Sequence, residues 1–120
     1  MNLIRFRSSI CPTLTAVING GEKEFAAHML IDESNKILLG RLIPGASIGY
    51  HRHEGSCEVI YILSGCGKAL CNDAETGIEN AVEERLAAGD CHYCPEGHFH
   101  SLINDRDEDL VFFAVVPMKK

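Results

Sequence analysis

Apolar residues recur in short runs along the whole chain, and many of them alternate with polar residues. Alternation at every second position is typical of a half-buried β-strand, and the glycine and polar clusters between the runs mark turns. The segment 78–86 fits a helix or a strand by its period alone, and its hairpin-like neighbours favour a strand. The predicted strands cover residues 2–7, 25–31, 36–43, 47–53, 57–63, 67–71, 78–86, 90–94, 99–104 and 109–117.

Strands at this even spacing predict an all-β fold, either a sandwich or a barrel, and argue against a parallel α/β fold. The sequence contains no internal repeat, low-complexity segment or linker. At 120 residues the chain is long enough to bury a core without disulfides or a structural metal. We therefore interpret residues 1–120 as a single domain.

The formal net charge is −6, and the arginine and lysine residues are scattered rather than clustered. Because contacts to phosphates need clustered positive charge, nucleic-acid binding is not expected. The N-terminal residues include no apolar run long enough for a signal peptide, and no segment approaches a membrane span. The sequence therefore predicts a cytoplasmic protein, with a small molecule as its partner.

Six cysteines are present, and in a reducing compartment they are expected to be free thiols. Cys91 and Cys94 form a C-x-x-C pattern, which also occurs in redox and zinc sites. On a strand, two residues three apart point to opposite faces of the sheet. We therefore interpret this pair as small buried apolar residues.

Two histidines and a glutamate lie close together in the segment 45–65. His51 and His53 are two positions apart, so their side chains share one face of a strand. Glu58 would face the opposite side of a continuous strand, but Gly55 and Ser56 are turn-forming residues. A chain reversal there would bring the carboxylate of Glu58 back beside the two imidazoles.

A second polar segment, 89–104, contains turn residues followed by a histidine on a predicted strand. Gly89, Pro95 and Gly97 indicate a strand–turn–strand unit, and His100 and Asn104 share one face of the outgoing strand. A fold that packs this unit against the segment 45–65 would bring His100 to the first three side chains. Asn104 is interpreted as a turn or hydrogen-bonding residue.

The two segments resemble the paired motifs of the cupin family. The first reads G-x5-H-x-H-x4-E-x6-G over residues 45–65, and the second reads G-x5-P-x-G-x2-H-x3-N over residues 89–104. This resemblance implies a jelly-roll β-barrel of six to eight strands with one metal ion in its mouth. The family's ligand positions fall on His51, His53, Glu58 and His100, and His98 is an alternative to His100 because it forms a second H-x-H pattern.

Three imidazoles and one carboxylate suit a divalent transition metal ion: Fe, Mn, Ni, Co, Zn or Cu. Four protein ligands on an octahedral ion leave two positions for water, dioxygen or a chelating substrate, as in catalytic rather than structural sites. The resemblance implies a small metalloenzyme, such as a dioxygenase, decarboxylase or isomerase, acting on a small carboxylate or sugar. The alternative is a metal-dependent module that binds or senses such a molecule without converting it.

Candidate substrate-binding residues are fewer and less specific. Arg41 would bind a substrate carboxylate if its side chain faces inward, and Tyr93 and His98 lie in the second motif. His28 and His92 are interpreted as ordinary strand residues. The strand predicted at 2–7 and the apolar segment 111–116 suggest a sheet edge that needs covering, and because small cupins often pair through such strands we predict a homodimer.

Overall fold

The described residues form ten β-strands and one 3₁₀ helix. The computed structural model describes residues 3–7, 13–16, 18, 20–72 and 78–119. The strands are β1 (Thr13–Ala16), β2 (Phe25–Ile31), β3 (Asn35–Leu42), β4 (Ser47–Arg52), β5 (Glu58–Ser64), β6 (Cys66–Asn72), β7 (Val82–Ala87), β8 (Cys91–Cys94), β9 (Phe99–Ile103) and β10 (Leu110–Pro117), with the 3₁₀ helix at Ile78–Asn80.

The strands pair into two antiparallel sheets, which confirms the all-β prediction. One sheet has six strands in the order β1-β2-β3-β10-β5-β8, and the other has four in the order β4-β9-β6-β7. The two strands that carry the first motif therefore lie in different sheets, as do the two strands that carry the second. Hydrogen bonding between the described strands does not run continuously around a closed barrel.

The core lies between the two sheets and follows the alternation predicted from the sequence. On β10, every second residue from Leu110 to Val116 is buried, and the residues between them are half-buried. Phe112 is fully buried and stacks against Phe25 with ring centroids 5.9 Å apart. Leu102 and Ala69, from the four-stranded sheet, complete this apolar layer. The core thus draws on both sheets, and Phe25, Leu38 and Phe112 extend it to the cavity beside His51, His53 and Glu58.

Gly65 ends the first motif at a position that tolerates no side chain. Its φ is +85°, a conformation that favours glycine. A Cβ atom there would lie 2.3 Å from the carbonyl oxygen of Asp109. This glycine therefore allows the turn from β5 to β6 to pack against the start of β10.

The N-terminal region differs from the prediction. Residues 3–7 contain no strand; instead Phe6 lies in a turn and its ring contacts Phe113 at 6.2 Å between centroids. A strand that was not predicted, β1, pairs with β2. The first three residues of the predicted strand 78–86 form the 3₁₀ helix, and β7 begins at Val82.

The segment 111–116 is not at a sheet edge, contrary to the prediction. It belongs to β10, which pairs with β3 on one side and with β5 on the other. Its apolar character comes from a central position in the sheet rather than from an exposed edge. No helix in the described part of the chain is long and apolar enough to cross a membrane.

Candidate metal centre

Strand pairing in the four-stranded sheet places two of the predicted ligands side by side. His51 on β4 lies directly opposite His100 on β9, so their side chains project from the same face. His53 follows the end of β4 and is held by the backbone of the second motif. Its N–H donates to the carbonyl of His98 at 3.0 Å, and its carbonyl accepts from the N–H of Gly97 at 2.7 Å.

The predicted reversal after His53 is present. Gly55 has a φ of +68°, and the chain then enters β5 at Glu58 in the other sheet. Only 8% of Glu58 is exposed. Its Oε1 lies 3.2 Å from Nε2 of His53 and 3.1 Å from Nε2 of His100. The turn therefore brings the carboxylate from one sheet to the imidazoles of the other.

The four ligand atoms have the separations expected around one metal ion. Nε2 of His53 lies 3.3 Å from Nε2 of His51 and 2.9 Å from Nε2 of His100. Bonds of about 2.1 Å at right angles place neighbouring ligand atoms about 3.0 Å apart. With the two contacts of Glu58, four of the pairwise distances lie between 2.9 and 3.3 Å, and all four atoms lie within 4.8 Å of one another.

The hydrogen bond of the other ring nitrogen directs a lone pair of His51 toward this point. Nδ1 of His51 lies 2.7 Å from the carbonyl of Gly49, which can only accept, so the hydrogen of the neutral ring is on Nδ1 and Nε2 is a lone pair. Nδ1 of His53 contacts the hydroxyl of Ser56 at 2.9 Å. In the metal-free protein the rings of His53 and His100 hydrogen-bond with Oε1 of Glu58, and a cation bound at this point would take the place of the shared hydrogens. The residues therefore fit a metal ion.

Burial also favours the charge states in which the histidine ligands can bind a metal ion. Burial lowers the pKa of His51 and the pKa of His100 below the usual histidine value, which favours the neutral rings that coordinate metals. Burial alone would raise the pKa of Glu58, but hydrogen bonds from His100 and His53 lower it to about 2. Two neutral imidazoles and an ionised carboxylate are the forms that bind a divalent cation.

His92, interpreted from the sequence as an ordinary strand residue, contacts one of the predicted ligands. It is buried, with 2% exposed, and its Nε2 lies 3.0 Å from Nδ1 of His100. Its Nδ1 lies 2.9 Å from Oε1 of Glu84. When Nε2 of His100 coordinates a metal, Nδ1 carries the hydrogen and donates it to His92, which in turn donates to Glu84. Such outer partners orient a metal-bound imidazole.

The remaining predicted site residues lie away from the four ligands. Arg41 is on the outer side of β3, where its Nε is 3.6 Å from Asp109, so the inward orientation required for substrate binding is not observed. The side chain of Tyr93 is 58% exposed. His98 contributes its carbonyl to His53 but is not part of the ligand cluster.

Asn104 is a hydrogen-bonding residue, as predicted. It is fully buried, and its Nδ2 donates to the carbonyls of Leu42 at 2.8 Å and Glu108 at 2.7 Å. Its Oδ1 accepts from the backbone N–H of Arg106 at 3.0 Å. This side chain fixes the turn after β9 against the end of β3 and does not contact the ligands.

A cavity of about 680 Å³ borders the ligand cluster on the side of the six-stranded sheet. His51, His53 and Glu58 form part of its wall. Most of the rest is apolar and includes Ile18, Phe25, Met29, Leu38, Phe112 and Met118. This volume lies within the usual range of small-molecule sites.

The chain belongs to the cupin domain family, which residues 38–116 match. The matched segment contains both motifs and all four predicted ligands. The fold and the site thus agree with the resemblance that the sequence motifs indicated.

A curated relative and a crystal structure, both from Thermotoga maritima, are similar over nearly the whole chain. The oxalate-binding protein of that organism is 36% identical over 115 residues, which cover 91% of this chain and 88% of the relative. The crystal structure of a predicted oxalate decarboxylase has a TM-score of 0.79 at 29% identity and covers 96% of this chain and 99% of its own. A cupin 2 conserved barrel domain protein from Salinispora arenicola, with a TM-score of 0.64 at 22% identity over 86% of this chain and 80% of its own, shows the fold alone.

Proposed function

We propose that this cupin binds one divalent transition metal ion through His51, His53, Glu58 and His100 and uses it to hold a small carboxylate. The observation that carries the proposal is the convergence of three imidazole nitrogens and one carboxylate oxygen on a single point beside a cavity. Fe, Mn, Ni, Co, Zn and Cu all accept this ligand set.

The metal would supply a positive centre with two free coordination positions, which fit the two oxygens of a chelating acid. The chain supplies the remaining selectivity. Glu58 contributes one negative charge to the centre, so a divalent ion keeps a net positive charge toward an anion. The apolar wall, which includes Phe25 and Leu38, excludes water and strengthens the attraction.

The rim of the cavity carries the other charged side chains among the described lining residues: Lys36, Glu54 and Lys119. All three are exposed. Lys119 is paired with Glu96 at 2.9 Å, so Lys36 would attract an anion to the entrance, while the metal holds it inside. The name of the relative from Thermotoga maritima, an oxalate-binding protein, supports oxalate as the first ligand to test.

The test is calorimetric titration of oxalate into protein loaded with Mn²⁺ and into the same protein after treatment with a chelator. We expect binding to the loaded protein only, and a loss of at least tenfold in affinity for the doubly substituted His51→Ala, His53→Ala protein. Acetate, which offers one carboxylate group, is the matched control and should bind at least tenfold more weakly. Oxalate binding that survives the chelator, or that is absent from metal-loaded protein, would refute the proposal.

A second candidate function is conversion of the bound acid, by decarboxylation, oxygen-dependent cleavage or isomerisation. The size of the cavity favours it, because about 680 Å³ exceeds the volume of a two-carbon diacid and leaves room for dioxygen or a larger substrate. Release of carbon dioxide or consumption of dioxygen by metal-loaded protein supplied with oxalate would establish turnover. Binding without either change would leave ligand binding as the function.

A further inference from the structure

A second group of metal-ligand side chains lies behind His100: Cys71, Glu84 and His92. Sγ of Cys71 is 3.9 Å from Nδ1 of His92, and that nitrogen is 2.9 Å from Oε1 of Glu84. The three ligand atoms lie within 4.8 Å of one another. We propose that this group, which we call the thiol cluster, is a second metal site for a thiophilic divalent cation such as Zn²⁺. It shares no ligand with the first centre.

Strand register explains why the three side chains meet. Cys71 on β6 pairs with Val82 on β7, and Glu84 is two residues further along β7. Residues two apart on a strand share a face, so Cys71 and Glu84 are diagonal neighbours on one side of the sheet. His92 comes from β8 in the other sheet and points inward between the layers. The thiol cluster is therefore held by three strands and both sheets.

The ligand set differs chemically from that of the first centre. One thiol, one imidazole and one carboxylate form a softer set, suited to Zn²⁺ in tetrahedral coordination with one position left for water. Tetrahedral bonds of about 2.0–2.3 Å place ligand atoms about 3.3–3.6 Å apart. The observed separations of 2.9 and 3.9 Å lie within about 0.5 Å of that range, which small side-chain rotations can supply.

The surroundings of the thiol cluster allow a cation to enter. A cavity of about 200 Å³ borders all three ligands, and Cys94, His98 and Phe99 form other parts of its wall. The carboxylate of Glu84 reaches solvent, with about half of its side chain exposed, whereas His92 is buried. Binding would replace the thiol hydrogen of Cys71 and the ring hydrogen that His92 donates to Glu84.

Titration with Co²⁺ separates the thiol cluster from the first centre. A thiolate bound to Co²⁺ gives an intense near-ultraviolet charge-transfer absorption that imidazole and carboxylate ligands lack. We expect the absorption in the natural protein and in the His51→Ala, His53→Ala variant, because the latter loses only the first centre. Cys71→Ala should abolish it, and Cys91→Ala, at an exposed thiol of β8, should leave it unchanged.

A second measurement guards against misfolding of the alanine variant. Cys71→Ser keeps the shape of the side chain at a slightly smaller volume and removes the thiolate, and its circular dichroism spectrum should match that of the natural protein. Zinc content by mass spectrometry should fall from two ions per chain to one in Cys71→Ser. In Glu84→Gln, zinc affinity should fall at least tenfold. A folded Cys71→Ser protein that retains the absorption, or a natural protein that lacks it, would overturn the proposal, whatever the first centre binds.

Discussion

The hydrogen on Nδ1 of His51 fixes what the other nitrogen of that ring can do. Because the carbonyl of Gly49 accepts that hydrogen, Nε2 presents a lone pair to the cluster. With a metal on Nε2, His100 would carry its hydrogen on Nδ1 and donate it to a side chain, His92, rather than to the backbone. Single hydrogen bonds thus decide whether each imidazole is a metal ligand.

Replacing His92 with leucine should weaken metal binding at the first centre although His92 does not touch the metal. The substitution removes the acceptor for Nδ1 of His100 and leaves a buried donor without a partner. We expect affinity for Mn²⁺ to fall about 10–100-fold, as for other outer-sphere partners of metal-bound histidine. Competition with a fluorescent chelator measures the change.

The matched control for this substitution is Cys91→Ala, on the same strand and exposed. It should leave Mn²⁺ affinity unchanged. A His92→Leu protein that is folded and binds Mn²⁺ as tightly as the natural protein would show that His92 has no influence on His100.

The lowered pKa values of His51 and His100 predict the pH at which metal is lost. A protonated imidazole cannot coordinate, so metal is released as pH falls through the pKa of the folded protein. Burial places those pKa values below the usual value of about 6.5. We therefore expect bound Mn²⁺ to persist at pH 6.5 and to be lost below it. Metal content after gel filtration across a pH series gives the midpoint, and a midpoint above 6.5 would contradict the assignment.

At the scale of the element, regular strands could be predicted from sequence and irregular segments could not. The strand 25–31 was predicted with its observed bounds, because its alternation reflects one buried and one partly exposed face. Residues 3–7 also contain several apolar residues but form no strand, since apolar residues alone do not specify a pairing partner. Likewise, Ile78–Asn80 were predicted as part of a strand but form a 3₁₀ helix shortly before β7.

The residues of the site also differ in whether they could be predicted from sequence. His51, His53, Glu58 and His100 were predicted because they occupy the ligand positions of the two cupin motifs, and the turn at Gly55 and strand parity agree with their directions. His92 could not, because its importance depends on Glu84 and His100 from two other strands. One signal was available: an inward position next to apolar neighbours on a short strand is unusual for histidine unless it is hydrogen-bonded.

The C-x-x-C pattern on β8 predicts two thiols of different reactivity. Cys94 is buried and Cys91 is exposed, so the opposite orientation predicted from strand parity is confirmed, whereas burial of both is not. Burial raises the pKa of Cys94 to about 12, and it raises the pKa of Cys71 to the same value. Because thiolate is the reactive form, we expect iodoacetamide at pH 8 to modify Cys91 well before Cys94 and Cys71 in metal-free protein. Peptide mass spectrometry measures the order, and equal rates would contradict it.

At the scale of the whole molecule, the first centre joins the two sheets. His51 and His100 belong to the four-stranded sheet, and Glu58 begins a strand of the six-stranded sheet. A ligand that binds only the folded chain stabilises it by about 2.7 kcal/mol at a concentration 100 times its dissociation constant. We therefore expect removal of metal to lower the Tm by several degrees.

Differential scanning calorimetry with and without a chelator provides the measurement. The His51→Ala, His53→Ala protein is the control, and its Tm should not respond to the chelator under Mn²⁺. An equal response in both proteins would place the stabilising metal elsewhere.

The homodimer remains a prediction, but the segment 111–116 is not an edge through which it could form. Since β10 is central, the free edges among the described strands are β1 and β8 in one sheet and β4 and β7 in the other. Pairing through an edge strand would extend one of these sheets. Multi-angle light scattering of metal-loaded protein should give twice the mass of the chain, and the mass of one chain would refute the dimer.

The contact between the rings of His92 and His100 has a consequence for how two metals would share the molecule. A gap of 3.0 Å between Nε2 and Nδ1 accommodates a single hydrogen. With one cation on Nε2 of His100 and another on Nδ1 of His92, each neutral ring would carry its hydrogen on the nitrogen that faces the gap. Binding of both metals would therefore release one proton more than the two metals release in total when each binds alone. Each metal would lower the affinity of the protein for the other by the same factor. The effect would be larger at low pH, where the extra proton is harder to release.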